Sequence, residues 1–251
     1  MSKFVELTLP SGCRLYNDVD PAKVKIRTLQ GKDQKLLAEL NYDNFERKIL
    51  ALLENVVQGI KPEDLTVGDR LYILVWEAIN SFGRSYPIQA VCEHCGSPVN
   101  VDVDLAQINS VELDPSYMEP YSVELRDGHS IKMRLYRVRD EIKVADFEKA
   151  GKNAFLYRLG ISLTDDRRND IERMMVLEES DADDIARMRA FHTKFEHGPK
   201  MEYKYECPDC GGVGLTPVPF RIDFILPVGE TLKGYTADDV RPNVPSGDVA
   251  S

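Results

Sequence analysis

Two short stretches, Cys92-Glu93-His94-Cys95-Gly96 and Cys207-Pro208-Asp209-Cys210-Gly211, stand 115 residues apart and hold the side chains best suited to chemistry. A C-x-x-C-G turn aims two thiolates at one point, because the backbone amides wrap the sulfurs and the glycine takes a conformation closed to other residues. One such knuckle is half of a tetrahedral Zn2+ site and two complete it, so Cys92, Cys95, Cys207 and Cys210 are the expected ligands of one Zn2+ ion. Four thiolates leave no coordination position for water or substrate, which makes the expected ion structural rather than catalytic. Buried thiols or redox pairs are the alternative, and two matched turns in one acidic chain speak against them. Cys13 lies outside both pairs and reads as a structural cysteine.

Other candidate chemistry is sparse. His94 sits inside the first knuckle, while His192 and His197 precede the second at a spacing of five, and no histidine stands in a motif with a serine or cysteine nucleophile. The acidic runs Asp165-Asp166 and Glu178 to Asp184 lack a calcium-loop pattern and suit helix N-termini instead. No catalytic residue and no small-molecule substrate is expected.

Composition limits what such a metal site serves. With 251 residues, 43% apolar and 29% charged, the chain has enough apolar material to fold around a core without disulfides. A formal net charge of −10 and a pI near 5.0 argue against a protein built to neutralise phosphates. Four of five cysteines in matched pairs fit metal ligation in a reducing compartment better than a secreted disulfide framework. The first residues lack the apolar core of a signal peptide. Leu71 to Ile79, the longest apolar-rich run, is interrupted by Glu77 and falls far short of the roughly 20 residues needed to span a bilayer.

The elements that must position the cysteines follow from periodicity. Val5 to Gly12 alternates into a Pro-Ser-Gly turn, and Lys25 to Arg27 opens another extended run. Helical spacing predicts helices over 32–41, 44–57 and 69–82, the last apolar on more than one face and expected to be central to its core. Tyr86 to Val91 and the alternating Val99, Val101, Val103 and Leu105 flank the first knuckle as strands, the order of one arm of a zinc ribbon.

From Tyr121 the same order returns. Val123-Glu124-Leu125 repeats Val5-Glu6-Leu7, and Asp127-Gly128 repeats Ser11-Gly12. Lys132-Met133-Arg134 with Asp140 repeats Lys25-Ile26-Arg27 with Asp33, and the offset becomes 115 at Asp69 and Asp184, Gly83 and Gly198, and both cysteine pairs. Helices are expected over 140–149, 155–163, 165–177 and from Asp181 or Asp183 to 195, with Val218, Phe220, Ile222 and Phe224 alternating as a final strand. An internal duplication is inferred. The expected fold class is α+β: two similar lobes, each a small antiparallel sheet with helices, joined by a four-cysteine zinc-ribbon-like site. The first lobe covers 1–105, a connection 106–118, the second lobe 119–226, and a flexible tail 227–251 whose Leu232, Tyr235 and Val240 are candidate anchors.

Leu9-Pro10-Ser11-Gly12, Val24-Lys25-Ile26-Arg27 before an acid-capped helix, Asp69 to Leu74, Ser81-Phe82-Gly83 and Cys92-x-x-Cys95-Gly96, taken in order, resemble the baseplate hub proteins of T-even-like contractile-tailed bacteriophages. The likeness covers most of the first half and the second knuckle. It implies a non-enzymatic hub subunit or hub assembly factor, with other baseplate hub proteins as partners. The location it implies is the host cytoplasm during assembly, or the tail baseplate of the virion. No catalytic residue carries over. The alternative is a zinc-ribbon nucleic-acid-binding or transcription-associated protein, for which Arg167-Arg168, Arg187 with Arg189, and Lys200 to Lys204 are the only basic groups. A metal-dependent enzyme is disfavoured by closed four-thiolate ligation.

Overall fold

The computed structural model describes residues 3–226, so the segment expected to be a tail lies outside the described residues. Its first part is a three-stranded antiparallel sheet, β1 (Val5–Glu6), β2 (Lys25–Ile26) and β3 (Val57–Gln58), with β2 central. Between β2 and β3 run α1 (Gly31–Ala38) and α2 (Phe45–Val56), whose Ile49, Leu52, Leu53 and Val56 form the buried face that the spacing predicts. A 3-10 turn, Pro62–Asp64, leads to α3 (Val67–Phe82). Thr66 caps α3 by accepting from the Asp69 amide, and Ile73, Leu74, Val75 and Ala78 seat it in the core. Gly83, at φ +108°, lets the chain leave the helix in a conformation other residues resist.

The first knuckle joins two long strands, β4 (Ser85–Val91) and β5 (Pro98–Asp104). Their alternating residues Tyr86, Ile88, Ala90, Val99, Val101 and Val103 are buried. After a short strand β6 (Ser110–Val111) come the hairpin strands β7 (Tyr121–Glu124) and β8 (Ser130–Met133). Four helices follow: α4 (Val138–Lys149), α5 (Phe155–Ile161), α6 (Asp170–Glu178) and α7 (Ala182–Lys194). β9 (Gly198–Pro199) pairs with β6, and the second knuckle joins β10 (Glu202–Glu206) to β11 (Val213–Pro217). The described residues thus form a mixed α+β fold with small antiparallel sheets and, with the terminal α8 (Ile222–Ile225), eight α-helices. No described helix is long and apolar enough to cross a membrane.

The final strand expected through Phe224 does not form. β11 stops at Pro217, Val218 adds one further bond to the Met201 carbonyl, and α8 replaces the rest. Pro219 has no N–H to extend a ladder. Phe220 and Phe224 then lie four residues apart on one side and pack edge-on against Phe45 and Tyr86, respectively.

Two junctions bind the parts together. Tyr205, Cys207, Val218, Phe224 and Ile225, late in the chain, belong to the same apolar core as α2, α3, β4 and β5, whereas Leu113 to Phe195 supply a second core. Near the boundary, Gly68 and Gly198 lie backbone to backbone. A Cβ at Gly68 would stand 2.3 Å from the His197 carbonyl oxygen, and one at Gly198 would stand 2.5 Å from that of Gly68. Only glycine allows this approach.

Candidate metal centre

Each knuckle is built by the same backbone hydrogen bonds. The Cys92 amide donates to Ser97 O at 2.9 Å and the Gly96 amide donates to Cys92 O at 2.8 Å. In the second turn Cys207 donates to Gly212 O at 2.8 Å and Gly211 to Cys207 O at 2.9 Å. Gly96 and Gly211 close the turns at φ +75° and +69°, as the C-x-x-C-G pattern requires.

The two hairpins bring their tips together. All four sulfurs lie within 4.8 Å of one another, with Cys92 Sγ 3.8 Å from Cys210 Sγ and Cys95 Sγ 3.7 Å from Cys207 Sγ. Four sulfurs at the usual zinc–sulfur distance form a tetrahedron with edges of about 3.8 Å, so the donor set fits a four-thiolate ion such as Zn2+. No pair is at disulfide distance, and all five cysteines are free. One member of each knuckle, Cys92 and Cys207, is buried; Cys95 and Cys210 are exposed.

The surroundings hold the tips in register. His94 donates from Nε2 to the Val213 carbonyl at 3.0 Å and covers Gly212, where a Cβ would stand 2.5 Å from the ring. The Tyr205 hydroxyl donates to Val91 O at 3.3 Å, linking the second hairpin to the first. Hydrogen bonds from the Ser97 side chain and amide hold the Cys95 thiol down to about 6. The Gly212 amide also favours a Cys210 thiolate, but the neighbouring sulfurs of Cys95, Cys207 and Cys92 outweigh it and push Cys210 up to about 12. Thiolates gathered this closely repel one another, and a bound cation removes that penalty.

The other sequence candidates take structural places. His197, buried, meets Thr66 Oγ1 at 2.7 Å and Phe195 O at 3.1 Å. The Tyr16 hydroxyl donates to Asp69 and completes this network, and the Ser11 amide donates to Asp69 at 3.0 Å. His192 stacks on Tyr136 with centroids 4.0 Å apart. Asp165 and Asp166 are not brought to the cysteines; Asp166 pairs with Arg168 at 2.7 Å. Asp184, in the other acidic run, accepts from the Arg126 amide at 2.7 Å.

Sequence reasoning did not find a polar groove of about 700 Å³ lined by residues from both halves, including Tyr16, Lys61, Glu119, Arg134 and Arg137. Its arginines are already engaged: Arg134 with Asp140, Arg137 with Glu119, and Arg139 with Asp64. Ion pairs between residues as far apart as Asp64 and Arg139 leave no periodic signal. The groove reads as an ordered seam rather than a ligand site.

No curated protein and no solved structure matches this chain. A family model described as T4 bacteriophage base plate protein matches residues 1–218, through both hairpins and both cysteine pairs. That span takes in the whole cysteine cluster and nearly all of the described fold, and the chain belongs to the T4 bacteriophage base plate protein family.

Proposed function

We propose that this chain is a non-enzymatic subunit or assembly factor of the tail baseplate hub, acting through protein–protein contacts on a zinc-stapled scaffold. The family match carries the baseplate assignment, and the closed four-sulfur site supports a scaffold role over a catalytic one. The specific hub assignment rests on the sequence resemblance.

In this reading the chain is an internal duplication with lobes 1–105 and 119–226, a connection over 106–118 and a tail over 227–251. Matched hydrogen bonds support the repeat. Arg27 grips Asp33 at 2.6 and 3.1 Å, and Arg134 grips Asp140 at 2.6 and 2.9 Å. The Arg27 amide donates to Val56 O and the Arg134 amide to Ser162 O. The Ser11 amide donates to Asp69 at the start of α3, as the Arg126 amide does to Asp184 at the start of α7. One Zn2+ on Cys92, Cys95, Cys207 and Cys210 then closes a loop of more than a hundred residues between the lobes, and the second hairpin lies in the first lobe's core.

Loss of the protein from phage-producing cells should stop baseplate formation before a tail tube grows, while phage DNA synthesis continues. Normal baseplates without it, together with salt-sensitive nucleic-acid binding by the purified protein, would overturn the reading.

A further inference from the structure

The second half carries a helix where the first half has only a turn. The first half passes from β3 to α3 through the 3-10 turn Pro62–Asp64, whereas the second half builds α6 before α7. One side of α6 is tied down. Arg173 donates to the carbonyls of Leu163 and Asp166, while Met174 and Leu177 pack into the body. The other side holds Ile171, Met175 and Val176 at 41%, 57% and 42% exposure. Ile171 and Met175 are four residues apart and share a face, and Val176 widens it.

An exposed apolar strip on an added helix marks an interaction surface, and charge selects its occupant. Of the seven carboxylates in residues 170–184, Asp170, Asp181 and Asp183 pair with Lys143, Arg126 and Arg187, whereas Glu178 and Glu179 are exposed with no ion pair among the described residues. A second copy of this chain would bring the same acidic border against itself. Residues 227–251, with four carboxylates and two cations, are of the same sign. Nucleic acid and anionic lipid are repelled for the same reason.

We propose that the Ile171, Met175 and Val176 face of α6, bordered by Glu178 and Glu179, docks an amphipathic basic helix of another protein. Apolar anchors at i, i+3 or i+4 and i+7 on that helix meet the strip, and its Lys and Arg residues meet the acidic border. The inference rests on the assembly reading above and adds the chemistry of the partner.

The test places a photo-crosslinker in the strip, Val176→p-benzoyl-Phe, in the full chain during phage production, and identifies the crosslinked peptide by mass spectrometry. A net-positive, amphipathic segment of a different protein is expected. Crosslinks to a second copy, to residues 227–251 or to nucleic acid, or no crosslink at all, would overturn the proposal. Ile171→Ser with Met175→Ser, and separately Glu178→Lys with Glu179→Lys, should each cut the crosslink about tenfold, as loss of roughly 1.4 kcal/mol of contact does. Thermal melting and metal content should not change, since all four side chains are exposed. Undiminished crosslinking in these variants would also overturn it. Should loss of the whole protein stop baseplates while these variants assemble them and crosslink normally, only the docking surface falls; should the crosslink form while baseplates assemble without the protein, the assembly reading falls.

Discussion

Set side by side, the first half and the second each carry a buried arginine–aspartate clamp, and the polar groups beneath the two clamps are chemically opposite. In each, an arginine at the end of a strand grips an aspartate in the first turn of the next helix. Under the first clamp α3 places Glu77; 115 residues later α7 places His192. Glu77 is fully buried, accepts from Ser81 at 3.1 Å, and keeps Oε1 without a hydrogen-bond partner among the described residues. His192 stacks on Tyr136 and has its Nε2 sealed from solvent in the same condition. Burial disfavours the charged form of each, which pushes the Glu77 carboxyl up to about 8 and the His192 imidazole down to about 3. Beneath both clamps, then, a titratable group is held away from water in its uncharged form, an acid in one half and a base in the other.

The largest effect should come from the cysteine cluster, to which each half contributes two ligands. Cys92→Ser or Cys207→Ser should abolish stoichiometric metal binding and lower the melting temperature more than any other single change, since structural zinc contributes on the order of 10 kcal/mol in small domains. Cys13→Ser, outside the cluster, should bind metal normally. Melting curves with and without chelator check both.

The clamps come next and should rank the halves. Removing one partner of a buried ion pair costs about 3–5 kcal/mol because the other charge is left unpaired. The side chains of Arg27 and Asp33 are 4% and 0% exposed, against 20% and 2% for Arg134 and Asp140. Asp33→Ala should therefore cost more than Asp140→Ala in denaturant unfolding. Equal costs would break the ranking. A smaller loss, about 1–3 kcal/mol from overpacking, is expected for Gly68→Ala at the close approach to His197.

Glu77 and His192 should tilt stability in opposite directions with pH. Below pH 4.5 both folded and unfolded chains hold the Glu77 proton. As pH rises from there to about 8 the unfolded chain releases it first, so stability falls across that window. For His192 both states are neutral above 6.5. As pH falls toward about 3 the unfolded chain takes up the proton first, and stability falls in that direction. Glu77→Gln should flatten the alkaline slope and leave the acidic one, as read by unfolding curves between pH 4 and 9.

Much of this was legible in the residues. Cys92, Cys95, Cys207 and Cys210 announced one cluster because a C-x-x-C-G turn constrains backbone and side chain together, and the helical spacing of Ile49, Leu52, Leu53 and Val56 identified a buried face. Alternation at Val218 to Phe224 misled, because Pro219 denies the ladder a donor and apolar residues two apart can also serve a single helical turn. The seating of Tyr205 and Cys207 in the first core, the approach of Gly68 to Gly198, and the paired Glu77 and His192 were not legible. Those depend on contacts between distant segments, and no sequence pattern marks a glutamate or a histidine as a buried, uncharged group.

A single ion held by both knuckles is tested most directly by X-ray absorption on the purified full-length protein. About one zinc per chain with four sulfur neighbours near 2.3 Å is expected, and loss of the four-sulfur shell when Cys95 or Cys210 is replaced by serine. Nitrogen or oxygen in the first shell of the unaltered protein, or no stoichiometric metal, would contradict it.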